Sequence, residues 1–490
     1  MSAPPTLGAR AASGVVILVI RTVLVRAGGL LGLALLARLL TPDDFGTVAF
    51  ALAASLSAGL LAEAGLGAAL IRRREEPSPS ELASASALQM ALAGAVALLV
   101  AAVAAPFGRV GAVTALMVAP LPLLALRSAA MIVLERALDY GPLARVEVAE
   151  TAAFYGTAIG SVALGAGVWG FAAAAAVRAL VGVVTIRRLV PAGRVRPRFD
   201  RAEARRLLGF GARFQAVQIV QIGRDQSLNL IVAALAGLSG LGVWTIAMRL
   251  LQIPFVLFSS LWRVSFPAAA RLGRGGAEIA TLLERGVAVV GLATGVLLVP
   301  LVASASALVP LLFGPDWSDA ALILPGLCLG LQISGPISVL TAGYLYAQDE
   351  AGAVLRSSIV AAIVWSALTA ALIGPLGIAA IGLAGLVGAL GEAIVLARAA
   401  TRCCGARLLW PLIGPTLAAV SAALLGRLIT DATTLADPLA APLAAAAALA
   451  LQLVLARLLA PAAFAESRRA ITGLIGRRHR PYPTKEVLGV

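Results

Sequence analysis

Charge, cysteine and histidine are all scarce in this sequence, and each scarcity removes a class of function. Charged residues make up 13% of the chain, against about 25% in an ordinary soluble domain. The three cysteines are Cys328, Cys403 and Cys404. Two of them are adjacent, so they build no disulfide framework and have no zinc-binding spacing. His479 is the one histidine. With so few thiolate or imidazole ligands, neither a catalytic transition-metal site nor any other resident cofactor is expected. Lys485 is the sole lysine, and no GxxxxGK[ST] phosphate loop is present, so the chain carries no ATPase of its own. The HExxH zinc motif and the GxSxG hydrolase elbow are missing too. No catalytic residue and no enzymatic activity are expected.

What fills the chain is apolar. Of 490 residues, 60% are hydrophobic, and the mean hydropathy is +0.96. A soluble protein cannot hide that much apolar surface, because the fraction buried on folding saturates with length. The chain therefore reads as a polytopic membrane protein, and its net charge of +15 belongs to membrane topology rather than to nucleic-acid binding. The first apolar run, from Ser13 to Leu40, contains Arg21 and Arg26. It is too long and too charged for a signal-peptide core and reads as a retained first helix.

A span takes about 20 mostly apolar residues. That ruler gives an all-α chain with about fourteen transmembrane helices, near 13–38, 46–70, 83–105, 111–134, 146–166, 169–188, 207–235, 241–262, 286–306, 320–346, 355–374, 377–397, 408–430 and 439–460. Alanine and glycine recur throughout them and permit close helix approach. The basic residues orient the spans. With both termini in the cytoplasm, twenty-eight basic residues fall inside and only Arg38 and Arg109 fall outside. The remaining nine lie within spans or at their edges. The longest outside loop is expected around Ser306 to Asp319.

The longest polar stretch, Arg187 to Arg206, separates six spans from eight. An internal repeat gives that division a structural meaning. Leu39 to Ala51 (LLTPDDFGTVAFA) and Leu235 to Ala247 (LAGLSGLGVWTIA) each link one span to the next, with Phe45-Gly46 falling on Leu241-Gly242 at an offset of 196. The same offset carries Glu81, at the start of span three, to Ala277, near the start of span nine. The expected plan is two pseudo-symmetric six-helix lobes plus two C-terminal helices. Residues 1–190 form the first lobe, 191–206 a basic cytoplasmic linker, and 207–400 the second lobe. Residues 401–460 supply two extra spans and 461–490 a basic cytoplasmic tail. Repeated bundles of this kind are a common transporter plan.

Particular residues sharpen this. Ala37-Arg38-Leu39-Leu40-Thr41-Pro42-Asp43-Asp44-Phe45-Gly46, followed by Glu63 and Gly65 to Ile71, resembles the first hairpin of the polysaccharide flippases. These belong to the multidrug/oligosaccharidyl-lipid/polysaccharide exporter superfamily, whose members more often have Asp where Glu63 stands. Arg198-Phe199-Asp200, Leu207 to Gly211, Phe266-Pro267 and Phe313-Gly314-Pro315-Asp316-Trp317 follow in the family's order. Together they cover most of residues 10 to 350. The resemblance implies a two-lobed helical flippase that moves a lipid-linked sugar from the inner to the outer leaflet of a bacterial plasma membrane.

Charges inside the bilayer supply the candidate site. A centred arginine costs a few kcal/mol by insertion scales, so Arg21, Arg26, Arg127 and Arg178, all in the first lobe, need a hydrated cavity or an acid partner. Arg21 and Arg26 are about 140° apart around their helix. Guanidinium groups grip phosphate through paired N–H donors, which suits a diphosphate headgroup. The alternative is that each is neutralised locally by Glu63, Glu135 or Glu150, or snorkels to a surface. In span seven, Gln215, Gln218, Gln221, Asp225 and Asn229 make one polar helical face. Gln218, Gln221, Asp225 and Asn229 are therefore candidates to contact sugar or a coupling cation, or else to act as polar glue between helices. Glu63, Glu150 and Asp225 are the candidate coupling acids.

The leading functional expectation is a flippase for a polyprenyl-diphosphate-linked oligosaccharide, working by alternating access and driven by a proton or sodium gradient or by removal of product outside. Its product would feed lipopolysaccharide or exopolysaccharide synthesis, with a polymerase and glycosyltransferases as partners alongside membrane lipids. A drug or cation antiporter of the same superfamily is the first alternative, but it favours acidic cavities. A membrane glycosyltransferase or polymerase needs catalytic acids or a large outside loop. A scaffold without transport leaves Arg21 and Arg26 unexplained.

Overall fold

Short polar turns and glycines punctuate a chain that is otherwise helical. The computed structural model describes residues 7–71, 75–137, 139–270, 276–432 and 437–476; no strand occurs among them. The chain divides into two compact units, Met1–Ile246 and Ala247–Val490.

In the first unit, α1 (Leu7–Leu39) is followed by α2 (Pro42–Glu63). Thr41 caps α2 by accepting a hydrogen bond from the Asp44 amide at 3.2 Å, and Pro42 fits the first turn, where no amide donor is needed. The expected second span does not run straight to residue 70. Ala64 and Gly65 both take positive φ, so α2 ends at Glu63 and a short α3 (Leu66–Ile71) follows. Arg136 closes α3 by donating to the carbonyls of Leu70 (2.8 Å) and Ile71 (3.0 Å), a favourable place for a cation at a helix C-terminus. Helix α4 (Pro79–Ala104) opens with a capping box between Ser78 and Glu81.

The expected fourth span is broken into α5 (Gly108–Val118), α6 (Leu121–Ala125) and α7 (Ser128–Arg136). Pro120 and Pro122 lie at the first break, where a missing amide donor and ring crowding end helices. Helices α8 (Tyr140–Ser161) and α9 (Trp169–Leu189) are joined by a π turn with Gly165 and Gly167 at positive φ. Helix α10 (Arg201–Ala270) is two helical arms that meet in a kink at Gly237, whose φ of 72° and ψ of −174° are not helical. Spans seven and eight lie on either side of that bend. The basic linker packs against the start of α4: the Arg198 amide donates to Ala83 O at 3.2 Å, and Arg206 pairs with Glu81.

The second unit holds the end of α10, then α11 (Ala277–Ala303), α12 (Ala305–Phe313), α13 (Ala320–Ala347), α14 (Ala351–Leu376), α15 (Ala379–Cys404), α16 (Ile413–Ala432), α17 (Asp437–Leu459) and α18 (Pro461–Gly476). The expected outside loop from Ser306 is largely helix α12. Gly314 (φ 110°) then turns the chain, and Phe313 and Trp317 are both buried. Helices α13 and α15 cross with Gly326 against the Gly382 backbone. Gln332 donates to Gly291 O at 2.9 Å and ties α13 to α11. The segment expected to be a tail begins with α18, which sets Ala463 and Phe464 against the cluster containing Ala288 and Leu292 of α11.

Ten helical stretches among the described residues are long and apolar enough to cross a membrane. One of them, Pro79–Ala125, is a hairpin, because Gly111 lies directly on Ala104 O. Another, Gln226–Gln252, contains the Gly237 bend. With α1 and the charge-bearing α8, these helices make the all-α, polytopic plan of about fourteen crossings.

Candidate functional site

The deep charges of the first unit converge on α8. Glu147 and Glu150 are three residues apart, on neighbouring positions of one helical surface. Arg21 of α1 pairs with Glu147. Arg127, at the N-cap of α7, pairs with Glu150. Arg178 of α9 reaches the other oxygen of the same carboxylate, with Nε 3.5 Å from Oε2. The Glu150 side chain is 3% exposed, whereas Arg178 is 48% exposed. Glu150 therefore lies between two cations from different helices.

Local sequence builds this arrangement. The break before α7 puts Arg127 where a helical ladder would otherwise run. Gly182 of α9 leaves the volume that the Glu150 carboxylate occupies. Gly29 and Gly32 let α1 close onto the ring of Tyr155, holding α1 beside α8. By helix rise, Glu150, Arg127 and Arg178 lie about 14–17 Å along their helices from the Tyr140, Arg136 and Leu189 ends, which is about half of a roughly 30 Å hydrocarbon layer.

Three arginines thus share two carboxylates. Arg26 adds a fourth cation: it is exposed, and no ion pair or hydrogen bond of Arg26 appears among the described residues. The local-neutralisation alternative is met only in part. Glu150 takes part in it, but among the described residues Glu63 and Glu135 make no ion pair with the four arginines. Glu63 is exposed at the last turn of α2. Glu147, the partner of Arg21, was not singled out from sequence; its spacing from Glu150 was the available signal.

On span seven, Asn229 is fully engaged. Its Nδ2 donates to Gln226 Oε1 at 2.8 Å, and its Oδ1 accepts from Trp244 Nε1 at 2.9 Å, across the Gly237 bend. The side chains of Gln218, Gln221 and Asp225 lie outside the described residues. Among the described residues no cluster of His, Cys, Asp and Glu could hold a metal ion.

Comparison with known proteins places the chain. The profile of the family described as "Polysaccharide biosynthesis protein" matches residues 35–322, more than half of the sequence. The chain belongs to that family. Among solved structures, it is similar to the lipid II flippase MurJ in an inward closed conformation, with a TM-score of 0.68 and 11% identity over 93% of this chain and 100% of that one. It is also similar to an inward-facing multidrug resistance transporter of the MATE family, in the MOP superfamily, with a TM-score of 0.57 and 15% identity over 83% of this chain and 99% of that one. At such identities the likeness is one of fold, and the fold of this family member is the one those flippases and transporters share. No curated protein matches the sequence.

Proposed function

We propose that this protein is a flippase that carries a polyprenyl-diphosphate-linked oligosaccharide from the inner to the outer leaflet of a bacterial plasma membrane. The observation that carries this reading is the convergence of guanidinium groups from several helices on α8 at mid-depth. Arg21, Arg127 and Arg178 hold Glu147 and Glu150 between them, and Arg26 is a further cation. A hydrated site of that kind attracts a diphosphate, which accepts the forked N–H donors left over by the carboxylates. Membership of a polysaccharide-biosynthesis family and a fold shared with a lipid II flippase support the same substrate class.

In this reading the protein performs no covalent chemistry. Both termini and the Arg187–Arg206 linker are cytoplasmic, and the two repeats, residues 1–190 and 207–400, alternate access to the arginine site. Glu150 is the leading coupling acid, because a carboxylate held by two arginines responds to any anion that competes for them. Glu63 and Asp225 are the other candidates, for a proton or sodium gradient. Gln218 and Gln221 are proposed sugar contacts. Asn229 is better suited to fixing the geometry of span seven, since both ends of its amide are occupied. The product would pass to polymerase and glycosyltransferase partners making lipopolysaccharide or exopolysaccharide.

The fold shared with a MATE transporter favours one second reading, an exporter of cationic drugs. The two separate on one experiment. In a cell lacking its own polysaccharide flippase, the wild-type chain should restore surface polysaccharide. Arg21→Ala or Arg26→Ala should abolish it at unchanged membrane protein level. Lysine should restore part of the function, because it keeps the charge but loses the paired donors. Glutamate should be worse than alanine. Normal export by the alanine variants would remove the headgroup site, and drug resistance without polysaccharide would favour the exporter.

A further inference from the structure

The basic linker between the sixth and seventh spans is docked along its length. After α9 ends at Leu189, one 3₁₀ turn (Pro191–Arg194) folds back onto that helix. A Cβ on Gly193 would lie 2.8 Å from the Ile186 carbonyl oxygen, so only glycine lets the turn seat there. Arg194 Nε donates to Arg187 O at 3.1 Å. Val190 and Ala192 pack against Ala130 and Leu134 of α7 and Val146 of α8. Val195 packs beside Leu82 of α4, and the Arg198 amide ties the linker to Ala83 O. All of these residues belong to the first compact unit.

Docking sorts the side chains. Val195 and Pro197 are half-buried, whereas Arg194, Arg196 and Arg198 are exposed, an alternation like that of extended chain. The apolar side meets the protein and the basic side is turned away from it. Residues 190–201 hold four arginines and one acid, Asp200. Asp200 serves the start of α10, where its Oδ1 accepts from the Glu203 amide at 3.2 Å. Phe199, next to Arg198, is 61% exposed.

The level of this row in the membrane follows from what it touches. It is packed on the ends of α9 and α4, and span ends mark the border between hydrocarbon and headgroups. Topology by itself calls for arginines on this side. It does not call for a row held to one side of a docked segment, nor for an aromatic ring left outside the protein. Guanidinium groups beside an exposed apolar ring suit a lipid surface: the cations meet phosphate and the ring enters the headgroup boundary. An acidic protein would satisfy the arginines but gives no reason for the ring to sit at that level.

We infer that Arg194, Arg196, Arg198 and Phe199 form a docking surface for anionic phospholipid headgroups, which fixes the linker end of the first unit on its leaflet. This rests on the chain spanning a membrane and not on the flippase reading or its substrate.

The test uses the full-length chain with Cys328, Cys403 and Cys404 replaced and a nitroxide attached at Phe199→Cys, where the apolar label stands in for the ring. The protein is reconstituted in vesicles of phosphatidylcholine alone or of phosphatidylcholine and phosphatidylglycerol in equal parts. Both leaflets then have one composition, so the direction of insertion does not matter. Collision of the nitroxide with a neutral, water-soluble nickel chelate reads its exposure to water. Exposure should fall about fivefold or more when the anionic lipid is present, the factor that one arginine near an anionic surface supplies. About 1 M salt, which cuts the screening length to about 3 Å, should restore it. Arg194→Gln, Arg196→Gln and Arg198→Gln together should remove the dependence on composition, and a nitroxide at Asp316→Cys should show none. Equal exposure at position 199 in the two mixtures overturns the surface, as does an unchanged dependence in the triple variant. If that variant does not reconstitute, the salt series on the parent protein decides, and a difference that persists in high salt overturns the proposal. Protection found in native membranes but in neither mixture would mark a protein partner, and overturns it as well. No measurement here involves transport, so loss of polysaccharide export by the wild-type chain would condemn the flippase reading alone.

Discussion

Gly182 of α9 stands directly behind the Glu150 carboxylate of α8, so that a Cβ on Gly182 would overlap Oε1. A glycine in a membrane helix is often read as a point of helix–helix contact. Here its missing side chain makes room for a buried acid and for the two arginines that the acid holds.

That relationship predicts the effect of adding atoms. Gly182→Ala should push Glu150 away from Arg127 and Arg178 and destabilise the protein by about 1–3 kcal/mol, the usual range for overpacking. Gly156→Ala on α8, facing open space, should stay within about 0.5 kcal/mol of wild type. Thermal unfolding in detergent, followed by loss of monodisperse protein, compares the two. Equal stability of both variants would show that the carboxylate does not need this space.

Removing the acid should be worse than removing either cation. Glu150→Ala leaves Arg127 with no described partner at mid-depth, and breaking a buried pair from one side costs about 3–5 kcal/mol. Arg178 is half exposed and screened, so its pair contributes much less, about 0–1 kcal/mol. In a double-mutant cycle, Glu150→Ala and Arg127→Ala should couple by about 0.5–3 kcal/mol, while Glu150→Ala and Arg178→Ala should be closer to additive. The opposite ranking would place the main partner on α9.

The bend at Gly237 carries a test of its own. Trp244→Phe keeps the ring packing but removes the donor to Asn229 Oδ1. The expected loss is about 1 kcal/mol for one hydrogen bond, with no change in membrane insertion. Asn229→Leu should lose more, because it leaves the buried indole N–H of Trp244 without its acceptor. If Trp244→Phe is as stable as wild type, Asn229 is free to serve the cavity after all.

Topology is checked from outside the cell. Cysteines at Ser78 or Ala192 should resist an impermeant maleimide, because the arginine distribution puts both in the cytoplasm. A cysteine at Asp316, exposed after Gly314, should react. Labelling at Ala192 would invert the lobe containing α9.

Much of this molecule is legible along the chain. Apolar runs of about 20 residues mark the spans, since every backbone polar group in lipid must be satisfied within its own segment. Thr41-Pro42 and Ser78-Pro79 mark helix starts by local capping chemistry. The offset of 196 between Phe45-Gly46 and Leu241-Gly242 pointed to the repeat. The breaks within spans were less legible. Pro120 and Pro122 signal one, but the end of α2 at Ala64-Gly65 leaves a hydropathy profile almost unchanged.

The sequence by itself determined that the chain is an all-α membrane protein and that its deep charges are mostly arginine. These follow from composition and from the energetics of one segment in lipid, which need no knowledge of neighbours. Only the tertiary structure decided which acid each arginine meets. Arg21 goes to Glu147 and not to Glu63, and Arg127 and Arg178 share Glu150, because ion pairing depends on distances between helices far apart in sequence. The same holds for Gly46 and Gly242. The repeat makes them equivalent, but that a Cβ on Gly46 would meet the Leu238 carbonyl, and one on Gly242 the Pro42 carbonyl, is a fact of packing, set where two helices approach and not within either one.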